Sequence, residues 1–173
     1  MKAFFKAAFI LIAFALSSIG IAAAQAPNLG CTLESSNFAA QTLRCEGGVT
    51  IVIENGARYS LIDRARKGRV DGVELNSKAV LIDAPARPSG TRFQVITPQA
   101  IAAVRGTRWA VDAAENKTSV FVVTGRVAVG HRTSSHSVTF GAGEGVDVEE
   151  GAPLTVKRWA PARVSALMAR LGQ

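Results

Sequence analysis

From residue 91 to residue 148 no apolar run lasts more than a few positions before Gly, Pro, Asn or Ser breaks it. A helix needs a long uninterrupted stretch with a 3.6-residue period, and this region has none. Its runs at 93–97, 109–111, 119–123, 126–129, 138–140 and 145–148 are short and rich in Val, Phe and Thr. Short strands at regular spacing, with turn residues between them, predict an all-β sandwich or roll built from hairpins. Pro98 ends the first run or places it at a sheet edge. Thr124-Gly125 reads as the turn of a hairpin joining 119–123 to 126–129.

The upstream residues follow the same pattern. Gly47-Gly48 precedes a β-branched run at 49–53. Asn55-Gly56 separates that run from residues 57–62 and is the strongest short-range hairpin signal in the chain. Asn-Gly supplies the positive φ angles of a tight turn at little cost. Residues 73–75 and 78–82 are two further strand candidates, and Pro85, Pro88 and Gly90 form a connector within the domain. The period changes only near the end. Pro161 suits a first helical position, while Val164, Leu167, Met168 and Leu171 make one apolar stripe. Gly172 stands where a C-terminal cap belongs. An amphipathic helix over about 161–171, packed on the sheet, is therefore predicted. Docking of that helix on a membrane surface wants a more basic polar face than Arg163 and Arg170 provide.

The N-terminus reads as a targeting segment. Lys2 and Lys6 flank a basic start, residues 7–21 are apolar, and Ala22-Ala23-Ala24 offers a cleavage signal. The alternative, a retained anchor, meets the length limit for a span but not the small-residue end. A signal peptide over 1–24 leaves residues 25–173 as one exported domain, periplasmic or secreted, with no later span. Cys31 and Cys45 then lie in an oxidising compartment, where a disulfide between them contributes about 3 kcal/mol in the chain-entropy model. Lipidation of Cys31 is disfavoured by Asn28 three positions before it. The formal charge of +7 falls to +5 without Lys2 and Lys6. In an exported chain that excess does not point to nucleic acid; lipid phosphates and acidic glycans are the polyanions at hand.

No motif for catalysis or cofactor binding emerges. Gly141-x-Gly143-x-Gly145 is followed by strand sequence, not by the helix a phosphate loop needs. Residues 63–72 place Asp63 and Gly68 as a calcium loop would, but Ala65 and Lys67 occupy ligand positions, so no metal site is expected. His131 and His136 bracket four residues and become cross-strand neighbours if those four form a hairpin loop, with no third ligand evident. The acidic run of Glu144, Asp147, Glu149 and Glu150 shows no cleft, and no serine sits in a nucleophile elbow. Asn116-Lys117-Thr118 is a glycosylation sequon by letter. Two candidate binding features remain. Arg64, Arg66, Lys67 and Arg69 cluster on a loop and suit an anion, and Arg105, with forked donors, suits a carboxylate or exposed carbonyls.

Residues 95–98 (VITP), 102–107 (AAVRGT), 118–120 with 125–127, and the glycine-rich end at 138–148 resemble a FecR domain, its core at about 91–148. The whole exported chain resembles small FecR-domain proteins of proteobacteria, with paired cysteines, an acidic-and-glycine loop and a C-terminal helix. The resemblance implies an all-β envelope domain. In signalling members that domain receives input from an outer-membrane iron-siderophore receptor, and a cytoplasmic segment controls a sigma factor. Only residues 1–6 precede the apolar run here, so that output is not expected of this chain alone. The reading is a non-enzymatic binding or regulatory module, without cofactor, for an envelope protein or peptide. The alternative is a binder of an anionic glycan or lipid headgroup through the basic loop.

Overall fold

A computed structural model describes residues 29–86 and 92–173. The expected signal peptide at 1–24 and the Pro88–Gly90 break lie outside them. The chain order is β1 (Cys31–Ser36), β2 (Ala40–Cys45), β3 (Val49–Glu54), β4 (Arg58–Ile62), β5 (Gly72–Ala84), β6 (Phe93–Ile96), β7 (Ala100–Val104), β8 (Thr107–Ala113), β9 (Lys117–Thr124), β10 (Arg126–His131), β11 (Ser137–Gly141), β12 (Glu144–Glu149), β13 (Val156–Arg158) and α1 (Pro161–Arg170). The all-β architecture with a C-terminal helix is as predicted.

The strands form two faces of one folded-over sheet. The first face runs β1-β2-β3-β5-β8-β9-β12-β13 and the second β4-β5-β6-β7-β10-β11. Strand β5 belongs to both. Its first half pairs with β4 and, in parallel, with β6; its second half pairs with β3 and β8. The two short strands read at 73–75 and 78–82 are thus one strand, turned at Lys78, whose φ is +64°.

Both predicted hairpins are corrected. Asn55-Gly56 does make a tight turn, with Ala57 N–H donating to Glu54 O at 3.0 Å. Yet β3 pairs with β2 and β5, and β4 pairs with β5 on the other face. Likewise β9 pairs with β8 and β12, while β10 pairs with β7 and β11. A strand has two edges, and in β3 and β9 both are taken before the turn is reached. Each glycine therefore carries the chain round a corner from one face to the other. A local signal specifies the turn, not the pairing of the strands beside it.

Between the faces lies a core of Val, Ile and Phe side chains around Trp109, which is fully buried and meets Phe93 edge-on with ring centroids 6.0 Å apart. The middle strands of the first face are buried on both sides because α1 covers their outer surface. Leu167 and Leu171 are buried there, with Val164 and Met168 half-buried beside them. Pro161 opens the helix, and Gly172 at φ +67° closes it. Gly172 and Gln173 donate N–H to Ala169 O and Met168 O, the paired bonds of a Schellman cap.

The helix is laid across the strands along a charged row. Asp147, Ser119, Asp112 and Ala79 are successive register partners from β12 to β5, and Glu54 reaches the Ala79 N–H from β3. Parallel to this row run Phe121, Ala110, Leu81 and Val52. Arg163 donates to Asp147 and Ser119 and lies over the Trp159 ring, 3.5 Å from its centroid; Trp159 stacks on Phe121 at 5.1 Å. Seven residues on, Arg170 donates to both Asp112 and Glu54. Hydrogen bonds from its side chain to Asp112 and Glu54 hold the Arg170 guanidinium still more firmly protonated than usual. The two arginines that bore on membrane docking thus face the sheet.

Desolvation pushes the Asp147 carboxyl up, but hydrogen bonds from Arg163 and Ser119, with the charges of Arg163 and Lys117, outweigh it and hold the group below its ordinary 3.8. A lowered folded-state value contributes stability above the ordinary carboxylate range and loses it as pH falls through the folded value. Acidification below about pH 4 is expected to loosen the N-terminal half of α1 first, read as a change in Trp159 fluorescence. Asp147→Asn should show the same fluorescence change already at pH 7.

Candidate functional site

The candidate residue Arg105 forms, with Gly106 and Thr107, the corner between β7 and β8. Gly106 has φ +67°, and a Cβ there would meet the Ala86 Cβ at 3.1 Å. Thr107 is buried; its hydroxyl donates to Arg126 O at 2.9 Å and accepts from Arg126 N–H. That ties it to the second corner, at Gly125, where a Cβ would stand 2.7 Å from both Gly106 O and Thr107 Oγ1. The Arg-Gly-Thr block is therefore two corners packed against each other, and Gly106 and Thr107 are architecture.

Arg105 is exposed. Phe93, Val104 and Val127 are register partners that point into the core. Next to these in the chain, at the ends of β6, β7 and β10, come Arg92, Arg105 and Arg126, all exposed. Among the described residues none of these three forms an ion pair. Sequence reasoning singled out Arg105 but not Arg92 or Arg126, because strand pairing alone brings them together.

The basic loop divides. Arg64 is not a free cation. Its Nε donates to Asp71 Oδ1 at 3.4 Å, its Nη1 to Gln94 Oε1, and its Nη2 to Asp71 O. Asp71, nearly buried, also accepts the backbone N–H groups of Arg64 and Ala65. Arg64 thereby lies over Gly72, where a Cβ would be 2.7 Å from its Nη2. Arg66, Lys67 and Arg69 stay exposed and are in no ion pair among the described residues. Asp63, the first residue of the calcium-like pattern, turns inward on the loop and accepts N–H from Lys67 at 3.1 Å and Gly68 at 2.7 Å. Desolvation raises its carboxyl, but backbone donors from Lys67, Gly68, Arg66 and Arg69 outweigh that and lower it. The backbone of the loop thus takes the place of a cation.

Cys31 and Cys45 are directly opposed on β1 and β2 and form the disulfide. It staples one end of an open edge, for β1 has β2 as its sole strand partner among the described residues. Beyond Cys31 the strand is exposed, Leu33 at 61%, and the turn after it carries Phe38 at 98%. His131 follows the last β10–β11 pair, opposite His136, but its Nε2–H donates to Ala152 O at 3.0 Å. An open cleft of about 590 Å³ lies between that hairpin end and residues 151–154, lined by both histidines, Ser134, Val138, Pro153 and Leu154. Among the described residues no three His, Cys, Asp or Glu side chains gather to hold a metal, and no helix is long and apolar enough to cross a membrane.

The FecR family, described as FecR protein, matches residues 32–128, from β1 into β10. The match takes in the strands before residue 91 as well as the Arg-Gly-Thr corner. No curated protein matches the chain. Two crystal structures of a candidate anti-sigma factor from Parabacteroides distasonis ATCC 8503 share the fold. One has a TM-score of 0.62 at 21% identity over 80% of this chain and 64% of that one. The other has a TM-score of 0.60 at 20% identity over 79% and 64%. The chain thus spans 64% of the length of these relatives.

Gly125→Ala is expected to destabilise the fold by about 2–4 kcal/mol, since the new Cβ meets backbone at a positive φ. The corresponding fall in Tm, about 8 °C, is read by calorimetry. Thr107→Val, which removes the hydroxyl that links the corners, should cost less.

Proposed function

Because the chain belongs to the FecR family, we propose that it is a non-enzymatic regulatory module of the cell envelope that binds a protein or peptide partner. The observation that carries this reading is the open edge of β1. Its main-chain groups facing away from β2 have no strand partner among the described residues, and Leu33 and Phe38 stand exposed on and beside it. Monomeric proteins blunt such edges, because a bare edge templates pairing with another chain. An extended segment of a partner can add as a further strand, with main-chain hydrogen bonds giving affinity and the two apolar side chains giving selectivity. The irregularity between Leu33 and Ser35, and the Glu34–Arg44 pair at 2.7 Å, limit which strands fit. The disulfide keeps the edge in place in an oxidising compartment, in keeping with an exported chain.

The test is affinity capture of residues 25–173 from the host envelope, with crosslinking and mass spectrometry. A specific protein crosslinked at residues 32–38, with recovery reduced about tenfold or more in L33K/F38S, is the expected outcome. Equal recovery by the variant at its unchanged melting temperature, or no specific protein at all, removes the reading.

A second reading is favoured by the exposed Arg66, Lys67 and Arg69 on their Asp63-braced loop: attachment to an anionic glycan or lipid headgroup. Binding to vesicles containing anionic lipid, or to an acidic glycan, should then collapse as salt rises from 50 to 500 mM, where the screening length shrinks to about 4 Å. It should also fall in R66S/K67S/R69S. Salt-insensitive binding eliminates this route.

A further inference from the structure

The two outer faces of the sheet carry opposite charge patterns, and one of them is covered. On the first face, α1 lies across the strands over an acidic row (Asp147, Asp112, Glu54) with an apolar row beside it (Phe121, Leu81, Val52). On the second face the first row is Arg92, Arg105 and Arg126. The next row outward-facing on the same strands is Gln94, Ala103 and Ala128, which are mutual register partners. The third contains Glu74, Ile96 and Ile101. The residues of these last two rows are half-buried; α1 lies on the other face, and Arg64 reaches Gln94 from the loop before β5. We infer that this face of β6, β7 and β10 is the docking site for an acidic amphipathic helix of a partner protein, laid across the strands as α1 is on the opposite face.

Charge and spacing both select that occupant. Neighbouring strands lie about 4.8 Å apart, so three adjacent arginines span about 10 Å. That is the rise between positions i and i+7 of a helix, about 10.5 Å, and it equals the separation of Arg163 and Arg170 on α1. Acidic residues at i, i+3 or i+4, and i+7 therefore meet all three guanidinium groups, while the adjacent stripe settles on Ala103 and Ala128. Like charges brought side by side at strand ends repel one another, and among the described residues no ion pair relieves these three arginines. Glu144, across the β11 edge, is engaged with the Gly141 N–H at 2.8 Å. All three cations are arginine, which pairs bidentately with carboxylates where lysine does not. The inference concerns a surface separate from the β1 edge and does not depend on strand addition there.

The probe is a synthetic helical peptide of about 20 residues with Leu and Ala on one stripe and Glu on the adjoining one. Its controls are a scrambled peptide of the same composition and a version with Lys for Glu. Titrated into the purified protein and followed by amide NMR, the Glu helix is expected to shift Gln94, Ala103 and Ala128. Its affinity should drop about tenfold or more in R105Q/R126Q, with the Tm of that variant unchanged or raised. Ala103→Glu, which leaves all three arginines in place, should also block it. The Lys peptide should not bind, and L33K/F38S should bind the Glu helix as the natural protein does, so a failure at β1 and a failure here are told apart. The inference is overturned if the Glu helix gives no shifts or shifts elsewhere, or if R105Q/R126Q binds equally. It also fails if the scrambled peptide binds as tightly, since charge alone is then enough. Vesicles of phosphatidylglycerol producing the same shifts with the same arginine dependence would assign the face to a membrane instead.

Discussion

Strand β5 pairs with four partners, two along each half, and so joins both faces of the sheet through one length of backbone. The turn at Lys78 sets the angle between the halves, and the core of Trp109, Phe93 and the Val and Ile side chains fills the space they enclose. Once β5 commits its edges, β3 and β8 have their places on one face and β4 and β6 on the other. Every later strand must then choose a face. The chain does so by crossing at tight glycine corners, which is why Gly106 and Gly125 come to rest against each other with Thr107 between them.

This topology also sorts the charge. Three carboxylates of the first face, Asp147, Asp112 and Glu54, are engaged by arginines of α1, which turns a row of acids into an anchor for the helix. Asp63 and Asp71 are taken up within one loop, by backbone donors and by Arg64. The arginines of the second face are left without such partners. The net positive charge of the sequence therefore resolves into a neutralised face, a basic loop tip and an arginine row, each with a different capacity for binding.

Much of the fold could be read in advance, because its signals are local. The alternation of short β-rich runs and turn residues, the helix from Pro161 to its glycine cap, and the paired cysteines all depend on near neighbours. β7 was less legible. Its sequence, AIAAV, has weak strand preference and reads as a strand only because β6 and β10 flank it. Asn55-Gly56 and Thr124-Gly125 were legible as turns and misleading as hairpins, since the edges they needed were already occupied. Arg64 looked equivalent to Arg66 and Lys67 until the fold set Asp71 and Gln94 beside it.

The 91–148 stretch thus determined by itself that the chain is a β protein turned at short intervals, since backbone preference and turn chemistry act over a few residues. What it could not determine is which strands meet. Pairing is decided by edges that distant segments occupy, and the arginine row exists only as a consequence of pairing. Residues 92, 105 and 126 are far apart along the chain, and only the register of β6, β7 and β10 makes them neighbours.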